Sequence, residues 1–377
     1  MNLFIARSIY PAITGGPSNS IYQLAKSLGD SEICASNIAL EDSDILKYSI
    51  KLGLSSSVLG QKIWFFRAGK IAISFRMAFW LFKNVKRFKY VHLQSYFAPI
   101  SLLTAFICVL RGVNFIVYPR GELFSPALSD KTTKKQMFLP IIKLLYHFSS
   151  AYVATSKEEV GTIKSFGVKQ KIILSPNFYD FHTVDDVAYS SGDKYFLFLG
   201  RLNPIKNIDI IIRAYKLYKD NFDSSIPFPL PKLFIAGKGE PTYIKELQDI
   251  VQSCGLSSNV VFLGHITGSE KDKLIANAFY LLLMSRSENF GNVVIEALAH
   301  GSPVIASKGT PWEVLNDVDC GYWIDSTPND LLFILNKVTH EKESSYLDKR
   351  IRSKAFARIN YSSEVVIEGF KKQLLEI

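Results

Sequence analysis

The stretch of this chain whose residue types best suit chemistry is Ser285-Arg286-Ser287-Glu288-Asn289-Phe290-Gly291-Asn292-Val293-Val294-Ile295-Glu296-Ala297, in which Glu288 and Glu296 lie on either side of Gly291. An apolar run over 280–284 precedes it and reads as a buried strand, and the apolar spacing over 293–300 reads as a helix. A strand therefore ends in a short polar loop, and the loop opens a helix at Gly291. Backbone N–H groups and a positive dipole end point out of such a junction, which suits an anion. Carboxylates beside an anion site are poor phosphate ligands, but they suit sugar hydroxyls. On this window alone, an ordinary strand-to-helix turn carrying surface acids explains the pattern equally well.

Three further loops fall at predicted strand ends. Thr14-Gly15-Gly16-Pro17-Ser18 follows the first strand, and its paired glycines let backbone amides approach a ligand closely. It lacks the G-x-G-x-x-G spacing of a dinucleotide site. Gly200-Arg201-Leu202-Asn203-Pro204-Ile205-Lys206-Asn207 follows another strand. There Arg201 can fork onto phosphate oxygens and Lys206 adds a point charge from the next turn. Ala236-Gly237-Lys238-Gly239-Glu240 reads as a weaker phosphate or base-edge loop, or a plain turn.

The elements that must carry these loops alternate between strand and helix. Apolar runs at 3–6, 32–35, 90–94, 115–118, 152–155 and 171–174 read as strands, with helical spacing at 20–28 and 101–111. A second series of strands follows at 195–199, 232–236, 260–263, 280–284 and 303–306, with a helix at 209–218. Two Rossmann-like, doubly wound α/β domains are expected, facing each other across a cleft at the carboxyl ends of both sheets. Their predicted bounds are 1–185 and 186–361, joined by a polar linker near 180–194. A helix over 362–377 is expected to pack back on the first domain.

Composition agrees with this division. At 377 residues the chain is too long for one typical core, and 48% hydrophobic with 21% charged residues describes a folded globular protein. A net charge of +10 favours an anionic partner: nucleic acid, a membrane surface or phosphorylated substrates. Cys34, Cys108, Cys254 and Cys320 have no paired spacing, which fits a reducing compartment and neither a disulfide framework nor a zinc site. The amino terminus reads directly as a strand rather than a leader, and the longest apolar stretch, over 102–110, is too short to cross a bilayer. A cytoplasmic location is expected, with the protein resting on the inner face of the membrane.

Taken together, the motif at 200–207, the Glu-x7-Glu element from Glu288 to Glu296 and Gly301-Ser302-Pro303-Val304-Ile305-Ala306 resemble the retaining family-4 glycosyltransferases of the two-domain B fold. Gly-Gly-Pro-Ser at 15–18 also fits. Tyr118-Pro119-Arg120-Gly121-Glu122-Leu123 and Gly309-Thr310-Pro311-Trp312-Glu313 resemble members that build bacterial surface polysaccharides. The resemblance implies that Arg201 and Lys206 neutralise the diphosphate of a nucleotide-sugar donor. It implies that Glu288, with the amides of Asn289, Phe290, Gly291 and Asn292, holds hydroxyls of the donor sugar. Glu296 would bind the ribose, Gly15 and Gly16 would close over the phosphates, and His265 and Ile266 would flank the base. Arg201, Lys206 and Glu288 are the expected catalytic residues, with no cofactor, no metal and no nucleic acid. The triplets Asp42-Ser43-Asp44 and Asp317-Val318-Asp319 read as surface acids.

One departure stands out. Arg120 occupies the place where many members carry a histidine that contacts the transferred sugar. It is expected to hold a phosphate or charged acceptor, or to pair with Glu122; His92, Arg120 and Glu122 are therefore acceptor or cleft candidates. The stretch from Lys62 to Lys89 interleaves Trp64, Phe65, Phe66, Ile71, Phe75, Phe79, Trp80, Leu81 and Phe82 with Arg67, Lys70, Arg76, Lys83, Lys86, Arg87 and Lys89. That mixture suits an interfacial helix on an anionic leaflet, extended by Lys131, Lys134 and Lys135, where a lipid-linked acceptor would be met. The alternative is an internal helix with a core face. Two other functions fit a two-domain α/β chain: a nucleotide-sugar epimerase, which needs no membrane face, and a non-catalytic polyanion binder, which has no use for the Arg201, Lys206, Glu288 and Glu296 set.

Overall fold

The computed structural model describes residues 1–10, 16–36, 40–67, 73–124, 132–181, 189 and 192–377. Of the residues named above, Thr14, Gly15, Lys70, Ile71 and Lys131 lie outside these, as does most of the 180–194 stretch. The chain divides into two units, Met1–Asn177 with Val366–Ile377, and Phe178–Val365.

In the first unit, eight strands among the described residues form one sheet. They are β1 (Asn2–Ala6), β2 (Ser31–Ala35), β3 (Ser55–Val58), β4 (Gln61–Phe65), β5 (Tyr90–Leu93), β6 (Phe115–Val117), β7 (Ala151–Ala154) and β8 (Lys171–Leu174). Their order is β3-β4-β2-β1-β5-β6-β7-β8, parallel except for the β3–β4 pair. Helices α1 (Gly16–Leu28), α2 (Asp42–Lys47), α3 (Phe75–Asn84), α4 (Pro99–Arg111), α5 (Thr132–Tyr146) and α6 (Lys157–Ser165) connect them. Parallel strands covered on both faces must be apolar throughout, and β1, β5, β6 and β7 are buried along nearly their whole length. The hairpin β3–β4 differs from the expectation, which ran the basic-aromatic stretch from Lys62 as a helix. Residues 61–65 instead pair with β2 at the sheet's flank, and the helix begins only at Phe75, where Ser74 caps it by accepting from the amide of Met77.

The second unit has six parallel strands among the described residues, β9 (Tyr195–Leu199), β10 (Lys232–Ala236), β11 (Val260–Gly264), β12 (Tyr280–Leu283), β13 (Val304–Ser307) and β14 (Gly321–Ile324). Their order is β11-β10-β9-β12-β13-β14. Helices α7 (Ile208–Asp220), α8 (Pro241–Ser253), α9 (Gly268–Ala276), α10 (Asn292–Ala299), α11 (Val314–Asp317), α12 (Pro328–Thr339) and α13 (Glu343–Tyr361) cover the faces. A last helix, α14 (Ser363–Leu374), carries the chain's end into the first unit. There Gln373 bonds both backbone groups of Leu174, and Lys171 pairs with Glu376 at 2.5 Å.

The strand orders matter for function. Each reverses direction once, beside β1 and β5 in the first sheet and between β9 and β12 in the second. At such a switch point the flanking loops diverge to opposite faces and leave room for a ligand beyond the carboxyl ends.

Candidate active site

In the second unit the expected donor residues gather at the β9–β12 switch point. Arg201 and Lys206 lie in the loop after β9, and Glu288 and Glu296 follow β12. Both carboxylate oxygens of Glu288 accept from Lys206 Nζ, Oε2 at 2.8 Å. The two side chains are only 17% and 16% exposed. A second pair forms at the helix that follows, where Lys271 Nζ of α9 sits 3.3 Å from Glu296 of α10. Arg201 is exposed on the loop.

The backbone fixes this arrangement. Asn207 is buried in the left-handed region at φ 50°, where its Oδ1 accepts from Arg286 Nε at 2.7 Å and its Nδ2 donates to Ser326. The amide of Arg286 donates to the carbonyl of Ile205 at 2.8 Å, so the loops after β9 and β12 are bonded to one another directly. Gly291, at φ 83°, turns the chain into α10, and an added Cβ would meet Leu283, Glu288 and Trp312. The amides of Phe290 and Gly291 have no acceptor among the described residues, which leaves the helix start able to receive an anion.

The ring of Phe290 is buried against Trp312 and Tyr361, and its carbonyl accepts from Trp312 Nε1 at 2.5 Å, so only its amide faces a ligand. The Gly237–Gly239 loop is a packing element. A Cβ on Gly237 would stand 1.7 Å from the carbonyl oxygen of Gly200, and the Gly237 amide already donates to Gly264. His265 is exposed just past β11, and Ile266 is half-buried against the apolar cluster. Lys271, Asn207 and Arg286 were not assigned from the sequence. Arg286 and Asn207 stood inside the two motifs, whereas nothing around Lys271 distinguishes it.

In the first unit Gly16 opens α1 directly after the β1 loop. His92, expected as a cleft candidate at its strand end, has the surroundings of a structural histidine instead. It is fully buried within β5, stacked on Phe4 with ring centroids 4.2 Å apart, near Phe370 of α14 and bonded to Tyr118 Oη at 2.8 Å. Burial lowers its pKa to about 3, so the ring is neutral. Arg120 does not turn to Glu122. Its guanidinium reaches Gln94 and Asn177, while Glu122 accepts from Ser95 Oγ and from the amides of Tyr96 and Phe97 ahead of α4. The acidic triplets are engaged locally. Asp42 pairs with Arg67, Asp44 completes the cap of α2, and Asp319 pairs with Arg352 and Lys349.

The basic-aromatic stretch divides by side. Phe65, Phe66, Trp80 and Leu81 are core residues, and Trp64 and Lys62 bond the buried Glu32. Phe75, Phe79 and Phe82 are 97%, 61% and 43% exposed, with Lys83 Nζ 4.3 Å over the Phe79 ring and Arg111 4.7 Å over that of Phe82. Helix α4 lies between α3 and α5 and adds exposed Phe106 and Leu110. From α5 and just past it come exposed Phe138, Ile141, Leu144 and Phe148. Between Asp44 and Glu122 the chain has twelve lysines and arginines and no acidic residue, although Lys62 and Arg87 pair with Glu32 and Arg67 with Asp42. No helix of the described residues is long and apolar enough to cross a membrane.

Two Rossmann-like units of parallel sheet, with ligand-binding residue types at the second unit's switch point, define the B-type glycosyltransferase fold. Residues 14–182 match the family described as Glycosyltransferase Family 4, and residues 184–357 match Glycosyl transferases group 1. The chain belongs to the glycosyltransferases. The alpha-1,3/1,6-mannosyltransferase ALG2 of Dictyostelium discoideum is 25% identical over 280 residues, covering 71% of this chain and 65% of that one. The O-antigen chain mannosyltransferase RfbU of Salmonella typhimurium is 31% identical over 123 residues, covering 33% of this chain and 32% of that one. These matches take in only part of each relative's length. Among solved structures, Anabaena Alr3699/HepE in complex with UDP and glucose shares the fold over 100% of both chains, with a TM-score of 0.77 at 17% identity.

Proposed function

We propose that the protein is a retaining, metal-independent glycosyltransferase that moves a hexosyl residue from a nucleotide-diphosphate sugar to a lipid-linked saccharide in cell-surface polysaccharide synthesis. The observation that carries this reading is the meeting of Lys206 with Glu288 at the second unit's switch point, with Arg201 on the same loop as Lys206 and Glu296 in the helix that follows Glu288. A nucleotide sugar needs both charge types there. Cations meet the diphosphate, and carboxylates accept from hydroxyls at its two ends, sugar on Glu288 and ribose on Glu296.

When the donor binds, its diphosphate competes with Glu288 for Lys206 and frees that carboxylate to accept from sugar hydroxyls. As the bond from the anomeric carbon to the phosphate oxygen breaks, negative charge grows on the leaving diphosphate. Arg201, Lys206 and the amides at the start of α10 stabilise that charge more strongly than they do the bound ground state. The acceptor hydroxyl attacks from the same face that the diphosphate leaves. Its oxygen bonds to the anomeric carbon, and its proton passes to the departing phosphate oxygen, so configuration is retained. His265 and Ile266 flank the base on this reading, and Gly15 and Gly16 belong to the loop that covers the phosphates.

The exposed aromatic and aliphatic side chains of α3, α4 and α5, with Lys83 and Arg111 over two of the rings, support contact with an anionic leaflet. The protein on this reading works in the cytoplasm against the inner face of the cell membrane, where a lipid-linked acceptor is presented. Lys206→Ala and Glu296→Ala test the donor site. Each variant is expected to lose sugar transfer while keeping its circular dichroism spectrum, and wild-type transfer by both would refute the site.

A further inference from the structure

At the carboxyl edge of the first unit's sheet the side chains around Arg120 are donors with too few acceptors. Arg120 follows β6 at φ 54° and Gly121 follows it at φ 78°, two successive left-handed residues. Such a turn is sparsely populated by a non-glycine residue and persists where neighbours hold it. The holder is Glu159 of α6, a fully buried carboxylate. Its Oε1 accepts from the Gly121 amide at 2.7 Å, and its Oε2 accepts from the amide and hydroxyl of Thr155. Glu159 acts on Arg120 electrostatically, yet its carboxylate oxygens accept from these three donors rather than from the guanidinium.

The guanidinium itself spans the edge of the sheet. Nε and Nη2 donate to Gln94 Oε1, just past β5, at 3.2 and 2.9 Å, and Nη1 donates to Asn177 Oδ1, beyond β8, at 3.0 Å. Arginine has five N–H groups and no acceptor. One N–H on each terminal nitrogen therefore has no acceptor among the described residues, and no carboxylate there lies in salt-bridge range of Arg120. Because Arg120 can only donate, the amide oxygen of Gln94 must face it, which fixes the amide nitrogen on the other side. That nitrogen is buried and has no hydrogen-bond partner among the described residues. Leaving a buried donor unsatisfied costs about 1–3 kcal/mol, so native proteins rarely keep one without a ligand or water to meet it.

We propose that Arg120 and Gln94 form an anion subsite that takes a terminal oxyanion, phosphate or carboxylate, of the saccharide acceptor. Assigning the anion to an acceptor rests on the transferase reading above; the existence of the anion site does not. A phosphate would come from the lipid-linked end of the acceptor, and a carboxylate from an acidic sugar. In either case two oxygens of one group meet the remaining guanidinium N–H groups and the Gln94 amide, a geometry a neutral hydroxyl cannot match.

The experiment is isothermal titration of the full-length protein with inorganic phosphate, D-glucuronate and D-glucose. It is run in an Arg201→Ala/Lys206→Ala background, which removes the expected phosphate-binding cations of the second unit. At least one of the two anions is expected to bind, glucose is not, and adding Arg120→Gln is expected to weaken the anion about tenfold or more. Phosphate binding alone assigns the lipid-linked source, and glucuronate binding alone assigns the acidic sugar. A companion variant, Gln94→Glu, sets a carboxylate against Arg120. It is expected to abolish anion binding and raise the melting temperature, and it stands in if Arg120→Gln does not fold. No anion binding, binding unchanged by Arg120→Gln or Gln94→Glu, or equal binding of glucose would overturn the proposal. The readout is binding without a nucleotide, so a failure here is distinguishable from failure of the donor site.

Discussion

Replacing Lys206 by alanine separates stability from chemistry at the proposed donor site. Lys206 and Glu288 are about five-sixths buried, with the longer of their two contacts at 2.8 Å. Exposed ion pairs contribute roughly 0–1 kcal/mol, and breaking a fully buried pair costs about 3–5 kcal/mol because one charge is left without a partner. This pair lies between those limits, so Lys206→Ala should destabilise the fold by about 1–2 kcal/mol. Glu288→Ala leaves the cation instead and should cost a similar amount. Together the two changes should cost less than their sum, with a coupling of about 1 kcal/mol, because the double variant strands neither charge. Urea unfolding of the four proteins completes the cycle. Turnover should respond on a different scale: loss of one preorganised group facing a developing oxyanion lowers kcat by roughly 10²–10³. A zero coupling would refute the contact, and Lys206→Ala turnover within about twofold of wild type would refute its role on the diphosphate.

Other outcomes follow from the same geometry. If Glu296 reads ribose hydroxyls, Glu296→Ala should weaken a nucleoside diphosphate by about tenfold or more. The same change should leave binding of the 2′,3′-dideoxy analogue nearly unaltered, and equal losses for both compounds would remove Glu296 from the ribose. Changing Phe75, Phe79 and Phe82 together to serine should lower partitioning onto vesicles containing anionic lipid by at least about tenfold, given the apolar area these rings expose. Unchanged partitioning would leave α3 with no membrane role. His92 is held neutral by burial, its pKa lowered from 6.5 to about 3. The unfolded chain therefore binds a proton that the folded chain does not between those values, and stability should fall as pH drops from about 6.5 towards 3. His92→Gln should flatten that limb in urea midpoints measured across the range, and an unaltered slope would show that other groups cause it.

The parallel strands were legible because strands covered on both faces read as unbroken apolar runs. The hairpin β3–β4 escaped that rule. Ser55-Ser56-Ser57 is polar, and in β4 buried Ile63 and Phe65 alternate with exposed Lys62, so the cations drew the segment into a helical reading. At the donor site, Arg201, Lys206, Glu288 and Glu296 stood out by type and by their place after strands. Which lysine would meet which carboxylate is a tertiary fact. Lys271 reaches Glu296 only because α9 packs beside α10, and no local pattern announces it. His92 misled for a related reason: the helix that covers it comes from the far end of the chain. The rings of Phe290 and Trp312 show the same limit, since a residue inside a functional motif can serve it through packing alone.

The central claim is that the second unit holds a nucleoside diphosphate on Arg201 and Lys206. Thermal melting of wild type and Arg201→Ala/Lys206→Ala against a panel of nucleoside diphosphates and their sugars tests it most directly. A ligand present at 100 times its Kd stabilises by about 2.7 kcal/mol, a rise of roughly 5–10 °C for a unit of this size. Such a rise is expected for at least one base in the wild type, and its loss in the double variant. No shift with any nucleotide, or the same shift in both proteins, would contradict it.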